Sequence, residues 1–245
     1  MWATAAFLVA TFLSLPAFGQ ADYVREKRWA DEVAPAIVVG DALWLETAGR
    51  KFLGIYTHPP KARAGVVVVH GMGVHPDWGL INPLRSGLAE QGYATLSLQM
   101  PVLSADATPE QYPAVYPEAA ARLKAGVAFL RGKGITRLAI AAHSLGARMT
   151  DFYLSNASDS GIDTFIAIGM PGKFTSLRMF KKPVLDIFGE GDFPALLEDA
   201  KSRVSELRNV RGSAQIEVTG ADHFFNGREA DLVKHVKLFL DRALK

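Results

Sequence analysis

The run Ala142-His143-Ser144-Leu145-Gly146 combines a nucleophile with the small residues that a sharp turn requires. The preceding residues, 138–141, are apolar and predict a strand, and a helical pattern begins near Ala147. A serine on a sharp strand-to-helix turn has its hydroxyl lifted above the sheet. The same turn leaves the backbone amide of Leu145 free to donate to a developing oxyanion. The alternative interpretation is a helix N-terminus that Ser144 caps.

Segments typical of strands and of helices alternate on both sides of this turn. Residues 65–69 form an uninterrupted, mainly β-branched run, typical of a strand buried on both faces of a parallel sheet. Residues 42–47 and 51–57 predict a hairpin. The alternation predicts an α/β fold with a doubly wound, mostly parallel sheet and helices on both faces. Further strands are predicted at 93–98, 136–142, 163–168, 184–188 and 214–218, and helices at 83–91, 117–131, 147–155, 195–207 and 229–244.

The composition fits one globular domain of ordinary size. The chain has 245 residues, of which 49% are hydrophobic and 21% are charged. The net charge of +2 is too small to indicate a nucleic-acid partner, and no basic stripe is present. The absence of cysteine excludes disulfides, thiol catalysis and thiolate metal sites.

The N-terminal segment differs from the rest because residues 1–21 contain no charged side chain. Its apolar run at residues 5–15 is followed by Pro16 and small residues, which resembles a secretory signal peptide cleaved near Gly19 or Ala21. No Lys or Arg precedes the run, so an uncleaved anchor in the inner membrane is the alternative. We expect export to a bacterial periplasm. The predicted organisation is a signal peptide at 1–21, a charged leader at 22–41 that is loose or a short helix, and one domain at 42–245.

The segment 100–116 is a long irregular connection with three prolines, and loops of this length usually have a role. It follows a strand and should lie at the carboxyl edge of the sheet, where open α/β folds bind ligands. We expect it to cover part of the site, with Tyr112 and Tyr116 as wall residues. The alternative is a surface crossover whose tyrosines pack into the body of the protein.

Three further runs follow predicted strands. They are His70-Gly71-Met72-Gly73, Gly189-Glu190-Gly191-Asp192 and Gly220-Ala221-Asp222-His223. Together with the Ser144 run they make the chain, from about Leu43 onward, resemble the α/β-hydrolases. The small-cap dienelactone-hydrolase-like and esterase-like members are the most similar, and the chain also resembles an uncharacterised bacterial family of exported hydrolase-like proteins. Only about fifteen residues join the strands at 163–168 and 184–188, which leaves no room for a large cap.

The resemblance implies a catalytic triad in the chain order serine, acid, histidine. It assigns Ser144 as the nucleophile, Asp192 as the acid that orients the histidine, and His223 as the base. Asp186 and Glu190 are rivals for the acid, and a plain turn residue is the alternative for Asp192. Asp222 is interpreted as a loop-capping residue.

The resemblance also implies an oxyanion hole formed by the backbone amides of Met72 and Leu145. His70 is expected to support this loop, and for Trp78 plain surface packing is the alternative to a binding role. Aromatic side chains near the site would favour acyl or aryl groups. The tentative substrate-binding residues are His75, Trp78, Tyr112, Tyr116, Phe193 and Phe224.

Metal or second-base chemistry at His143 is disfavoured, because the chain has no metal-ligand spacing such as His-Glu-x-x-His. No dinucleotide fingerprint or phosphate-binding loop occurs either. No cofactor and no metal are therefore implied.

These residues predict a serine hydrolase that cleaves carboxylic esters through an acyl-enzyme on Ser144. The alternatives are a catalytically idle binding or scaffold protein with the same fold, and a peptidase, thioesterase or acyltransferase with the same triad. The expected partner is a small-molecule ester or other acyl substrate. Nucleic acid is not expected, and membrane contact is expected only if the N-terminal segment stays uncleaved.

Overall fold

The computed structural model describes residues 21–245, and the predicted signal peptide therefore lies almost entirely outside the described residues. One sheet has the strand order β1-β2-β4-β3-β5-β6-β7-β8. The β1–β2 and β2–β4 pairs are antiparallel and every other pair is parallel. The strands are β1 (Asp41–Thr47), β2 (Arg50–Thr57), β3 (Gly65–Val69), β4 (Ala94–Leu98), β5 (Leu138–His143), β6 (Thr164–Ile168), β7 (Val184–Gly191) and β8 (Ala214–Asp222).

Helices cover both faces of this sheet, as the alternating pattern predicts. They are α1 (Tyr23–Val33), α2 (Ile81–Glu90), α3 (Tyr116–Gly132), α4 (Leu145–Asn156), α5 (Pro194–Leu207) and α6 (Glu229–Ala243), with short 3₁₀ turns at Ala34–Ala36, Pro109–Val115 and Ser176–Arg178. The predicted doubly wound, mostly parallel sheet is confirmed. Within residues 21–245, no helix is long and apolar enough to cross a membrane.

Strand β3 shows why the sheet is buried on both sides. Val67 and Val69 face the core under α3 and α4, whereas Val66 and Val68 face the core under α2 and α6. All four side chains are fully buried. Burial of one valine contributes about 1.5–3 kcal/mol, so an uninterrupted valine run fixes this strand at the centre of the sheet.

The segment 22–41 is not a loose leader, because most of it forms α1 and the 3₁₀ turn that follows. Asp22 caps α1 by accepting a hydrogen bond from the amide of Arg25 at 2.9 Å. Ala30 and Val33 pack on Leu53 and Ile55 of β2. The helix is therefore part of the folded body.

Candidate active site

Ser144 lies between the end of β5 and the start of α4, with φ 53° and ψ −124°. A non-glycine residue with positive φ stores about 1–3 kcal/mol of strain, and such strain is concentrated at functional sites. The amide of Ser144 donates to the carbonyl of Ile168 on β6 at 2.8 Å, which holds the turn in place. The Ser144 side chain does not cap α4, so the helix-capping interpretation is wrong.

Gly146, the second residue of α4, lets this helix approach the loop that follows β3. A Cβ atom on Gly146 would lie 2.2 Å from the carbonyl oxygen of His70, closer than real Cβ contacts. Glycine is therefore required by the packing of α4 on the loop that follows β3.

Ser144, His223 and Asp192 form a continuous hydrogen-bonded chain. The Ser144 Oγ lies 3.0 Å from His223 Nε2, and His223 Nδ1 lies 2.7 Å from Asp192 Oδ1. Because a carboxylate only accepts, Nδ1 carries the proton and Nε2 is free to accept from the serine hydroxyl. The amide of Phe193 also donates to Asp192 Oδ1 at 2.7 Å. The arrangement can transfer a proton from the hydroxyl to the imidazole while the carboxylate holds the ring.

The rival acids are occupied elsewhere. Asp186 is fully buried and paired with Arg203 at 2.9 Å. Glu190 accepts from the amide of Gly220 at 2.9 Å. Asp222 accepts from backbone amides of the loop that carries His223, as expected for a loop-capping residue. Burial raises the pKa of Asp222, but hydrogen bonds from the Asn226 side chain and from these backbone amides outweigh burial. The pKa of Asp222 therefore lies below its usual value.

The loop after β3, residues 70–75, passes directly against the nucleophile, and we call it the oxyanion loop. A Cβ atom on Gly71 would lie 3.3 Å from the Cβ of Ser144. Leu145 is the first residue of α4, where amides lack an intrahelical acceptor. Among the described residues, neither the amide of Met72 nor that of Leu145 has an acceptor. Both amides are therefore free to donate to a further acceptor.

His70 fixes the peptide that contains the Met72 amide. Its Nε2 accepts from the amide of Met100 at 2.9 Å, so its Nδ1 donates to the carbonyl of Gly71 at 2.8 Å. In a trans peptide the carbonyl and the following N–H point in opposite directions. The N–H of Met72 is therefore directed away from the imidazole. Complete burial lowers the pKa of His70 to about 3, so the ring is neutral.

Solved structures with this architecture include hydrolases of several kinds. Est1E from Butyrivibrio proteoclasticus superposes with a TM-score of 0.67 at 17% identity, covering 82% of this chain and 98% of its own. A dienelactone hydrolase from Anabaena variabilis gives 0.66 at 18% identity over 83% and 97% of the two chains. A serine hydrolase without lid from Xanthomonas campestris gives 0.67 at 17% identity over 85% and 96%.

The chain has the α/β-hydrolase fold. The predicted resemblance to dienelactone hydrolases and esterases is thus confirmed at the level of structure. Residues 37–121 match a family described as "Protein of unknown function (DUF3530)". No curated protein matches the chain in sequence.

The mouth of this hydrolase-fold site is open and aromatic. Phe193 and Phe224 lie 4.5 Å and 5.0 Å from the His223 ring, measured between centroids, and Trp78 contacts Phe224 at 5.6 Å. These three side chains are 36–54% exposed, and Met72 is 40% exposed. Two of the predicted substrate-binding residues, Phe193 and Phe224, therefore contact His223, and a third, Trp78, extends this aromatic group.

His75 belongs to the loop of residues 70–75, whereas Tyr112 and Tyr116 are buried. His75 packs edge-on against Trp29 of α1 at 5.9 Å. Tyr112 and Tyr116 are buried in the core, where Tyr112 accepts from the amide of Leu103 and Tyr116 contacts Phe152. The structure thus corrects the expectation that Tyr112 and Tyr116 form a wall of the site, and a binding role for His75 stays a prediction. The segment 100–116 is a crossover with its tyrosines packed inward.

The sequence assigns no role to His143, which the structure places against His223. Its Nε2 donates to the carbonyl of His223 at 3.0 Å, and the two rings are 4.8 Å apart. Burial, and then the nearby His223, lower the pKa of His143 to about 3. The sequence gives no sign of this hydrogen bond, because His143 and His223 are 80 residues apart. Among residues 21–245, no group of three or more His, Asp or Glu residues could hold a metal ion.

Proposed function

We propose that this protein is a serine hydrolase that cleaves carboxylic esters. The observation that carries the proposal is the Ser144–His223–Asp192 chain, with distances of 3.0 Å and 2.7 Å, on a strained strand-to-helix turn. A fold with hydrolase neighbours agrees with this reaction but does not establish it, because one fold serves many functions.

In the proposed reaction, the Ser144 oxygen attacks the ester carbonyl while His223 Nε2 takes its proton. The new C–O bond gives a tetrahedral oxyanion, to which the amides of Met72 and Leu145 donate. The oxyanion collapses, the alkoxide leaves with the proton from His223, and an acyl-enzyme remains. Water then attacks the acyl carbonyl while His223 takes a proton from it, and the second oxyanion collapses. His223 returns the proton to the departing Ser144 oxygen, which releases the acid and free Ser144. Asp192 holds the ring and stabilises the imidazolium in both halves.

Exposed aromatic side chains indicate which groups the site would contact. Phe193 and Phe224 pack against His223 and Trp78 packs against Phe224, so acyl or aryl parts of a substrate would contact these exposed rings. A structure of Est1E, one of the similar proteins, contains ferulic acid, an aromatic carboxylic acid. We infer a small-molecule ester or other acyl substrate.

The first test is hydrolysis of p-nitrophenyl acetate and butyrate by the wild type, Ser144→Ala and Ser155→Ala. Ser155 lies near the other end of α4 and hydrogen-bonds only within its own helix, so it is the matched control. Loss of the nucleophile should lower kcat by about 10³-fold or more, whereas Ser155→Ala should match the wild type. Fluorophosphonate labelling should require Ser144.

The outcomes separate the alternatives. Absence of turnover, of a burst and of labelling would refute the hydrolase proposal and favour a binding or scaffold role. Faster Ser144-dependent turnover of a peptide or thioester, or transfer to an added alcohol, would instead identify a peptidase, thioesterase or acyltransferase.

We also propose that the protein is exported to the periplasm. The support is the uncharged apolar sequence of residues 1–21, of which 1–20 lie outside the described residues. N-terminal sequencing of protein from fractionated cells should give a start at Gln20 or Asp22. Recovery of the full-length chain in the membrane fraction would instead support the anchor.

A further inference from the structure

The N-terminal helix α1 makes direct contact with the oxyanion loop. Arg25 forks between two carbonyl oxygens, donating through Nη2 to Gly73 at 3.0 Å and through Nη1 to Leu103 at 2.9 Å. Gly73 directly follows Met72, whose amide is the proposed oxyanion donor. One guanidinium on α1 thus connects the loop beside Ser144 to the segment after β4.

A second contact between α1 and the loop is aromatic. The Arg25 guanidinium lies over the Trp29 ring at 4.4 Å, and Trp29 packs edge-on against His75 at 5.9 Å. The stacking limits the directions in which the guanidinium can point. The oxyanion loop is therefore held from α1 at Gly73 and at His75, in addition to the bond from His70 to Gly71.

The helix is itself fixed by a buried ionic network. Glu26 is buried and pairs with Arg122 at 2.8 Å, while its other oxygen accepts from the amide of Val102 at 3.1 Å. Gln99 donates to the backbone carbonyl of Glu26 at 3.0 Å. Arg122 also donates to the carbonyl of Gln99. A helix fixed in this way can act as a rigid support for Arg25.

We propose that α1 is a working part of the active site and that Arg25 is a positioning residue for the oxyanion loop. The proposal rests on the proposed function, since it assigns Arg25 an effect on the oxyanion donor at Met72. Both predicted cleavage positions precede α1, so the mature protein would retain this support.

The test compares Arg25→Met, Arg25→Lys and the control Arg28→Met. Arg28 is exposed on the same helix and makes none of the described hydrogen bonds. Arg25→Met should lower kcat about 10- to 100-fold with little change in KM, because a displaced donor weakens transition-state binding only. The kcat of Arg25→Lys should lie between those of the wild type and Arg25→Met, since an ammonium group cannot donate to both carbonyls with the same geometry. Arg28→Met should match the wild type.

Two readouts separate positioning from damage to the fold. Fluorophosphonate titration should label Arg25→Met to full stoichiometry, but more slowly than the wild type. Amide hydrogen exchange at Gly71–Gly73 should be faster in Arg25→Met and unchanged in Arg28→Met.

Specific results would overturn the proposal. A kcat for Arg25→Met within twofold of Arg28→Met would do so, as would equal exchange at the loop or equal losses in kcat and labelling stoichiometry. If the wild type hydrolyses no ester and is not labelled, the proposed function fails. The exchange measurement then still decides whether Arg25 holds the loop.

Discussion

Replacing Gly146 with alanine tests the close approach of α4 to the oxyanion loop. The new Cβ would start 2.2 Å from the His70 carbonyl oxygen, whereas ordinary contacts are 3.4–4 Å. The helix and the loop must therefore move apart by about 1 Å, and neither atom belongs to a flexible side-chain end. Displacement of packed backbone costs about 1–3 kcal/mol.

The same substitution at Gly132 is the matched control, because that glycine ends α3 and nothing lies within 4 Å of its added Cβ. Alanine is favoured over glycine in a helix by about 0.5–1 kcal/mol, so Gly132→Ala should be neutral or stabilising. Gly146→Ala has the same gain in helix propensity, but its Cβ atom also clashes with the His70 carbonyl oxygen. We expect the free energies of unfolding of the two variants to differ by about 1–3 kcal/mol in urea denaturation.

The displacement should also affect catalysis, because the oxyanion loop would move relative to Ser144. A misplacement of about 1 Å can cost about 100-fold in rate. Hydrolysis of p-nitrophenyl butyrate, corrected for the labelled fraction of enzyme, measures this loss. If Gly146→Ala and Gly132→Ala unfold at the same urea concentration with equal kcat, the inferred backbone clash does not exist.

Two further predictions concern buried charges. Arg203→Met leaves the Asp186 carboxylate in the core without its cation, which should lower the free energy of unfolding by about 3–5 kcal/mol in urea denaturation. Burial lowers the pKa of His70 and His143 from 6.5 to about 3, so below pH 6.5 the unfolded chain binds protons that the folded chain does not. Between pH 8 and pH 5 each histidine should therefore remove about 2 kcal/mol of stability, and His143→Gln should lose about 2 kcal/mol less than the wild type over this range.

Each of these predictions has an internal control. The double variant Asp186→Asn/Arg203→Met removes both charges and should recover part of the lost stability, and equal costs for the single and double variants would contradict the ion-pair explanation. For the histidines, parallel stability curves of the wild type and His143→Gln against pH would show that folding does not change the pKa of His143.

The sequence predicts the parts of this protein that depend on local patterns. The valine run of β3 predicts a strand buried on both faces, because successive side chains point to opposite faces of the sheet and all of them are apolar. Ser144, Asp192 and His223 stand out because each lies in a short glycine-containing run at a predicted strand end. Their convergence follows from the parallel sheet, which brings strand ends to one edge.

The remaining features depend on contacts between distant segments. In the sequence, Tyr112 and Tyr116 look the same whether they line the site or pack inward, since tyrosine occurs in both places. Only their contacts with the core show that they are buried. His143 supports His223 across 80 residues of chain. Arg25 reaches Gly73 across 48 residues, from a segment whose sequence predicts either a loose leader or a short helix. No local periodicity encodes such pairs.

The strand order has a consequence for when the site comes into existence. Ser144 and His223 are 79 residues apart, and His223 follows β8, the last of the described strands to be synthesised and an edge of the sheet. Contacts between such distant segments form late, because their loop-closure entropy must be met first. In the proposed reaction, Ser144 therefore gains its base only when β8 has joined the sheet. The completion of folding is then also the step that completes the proposed triad.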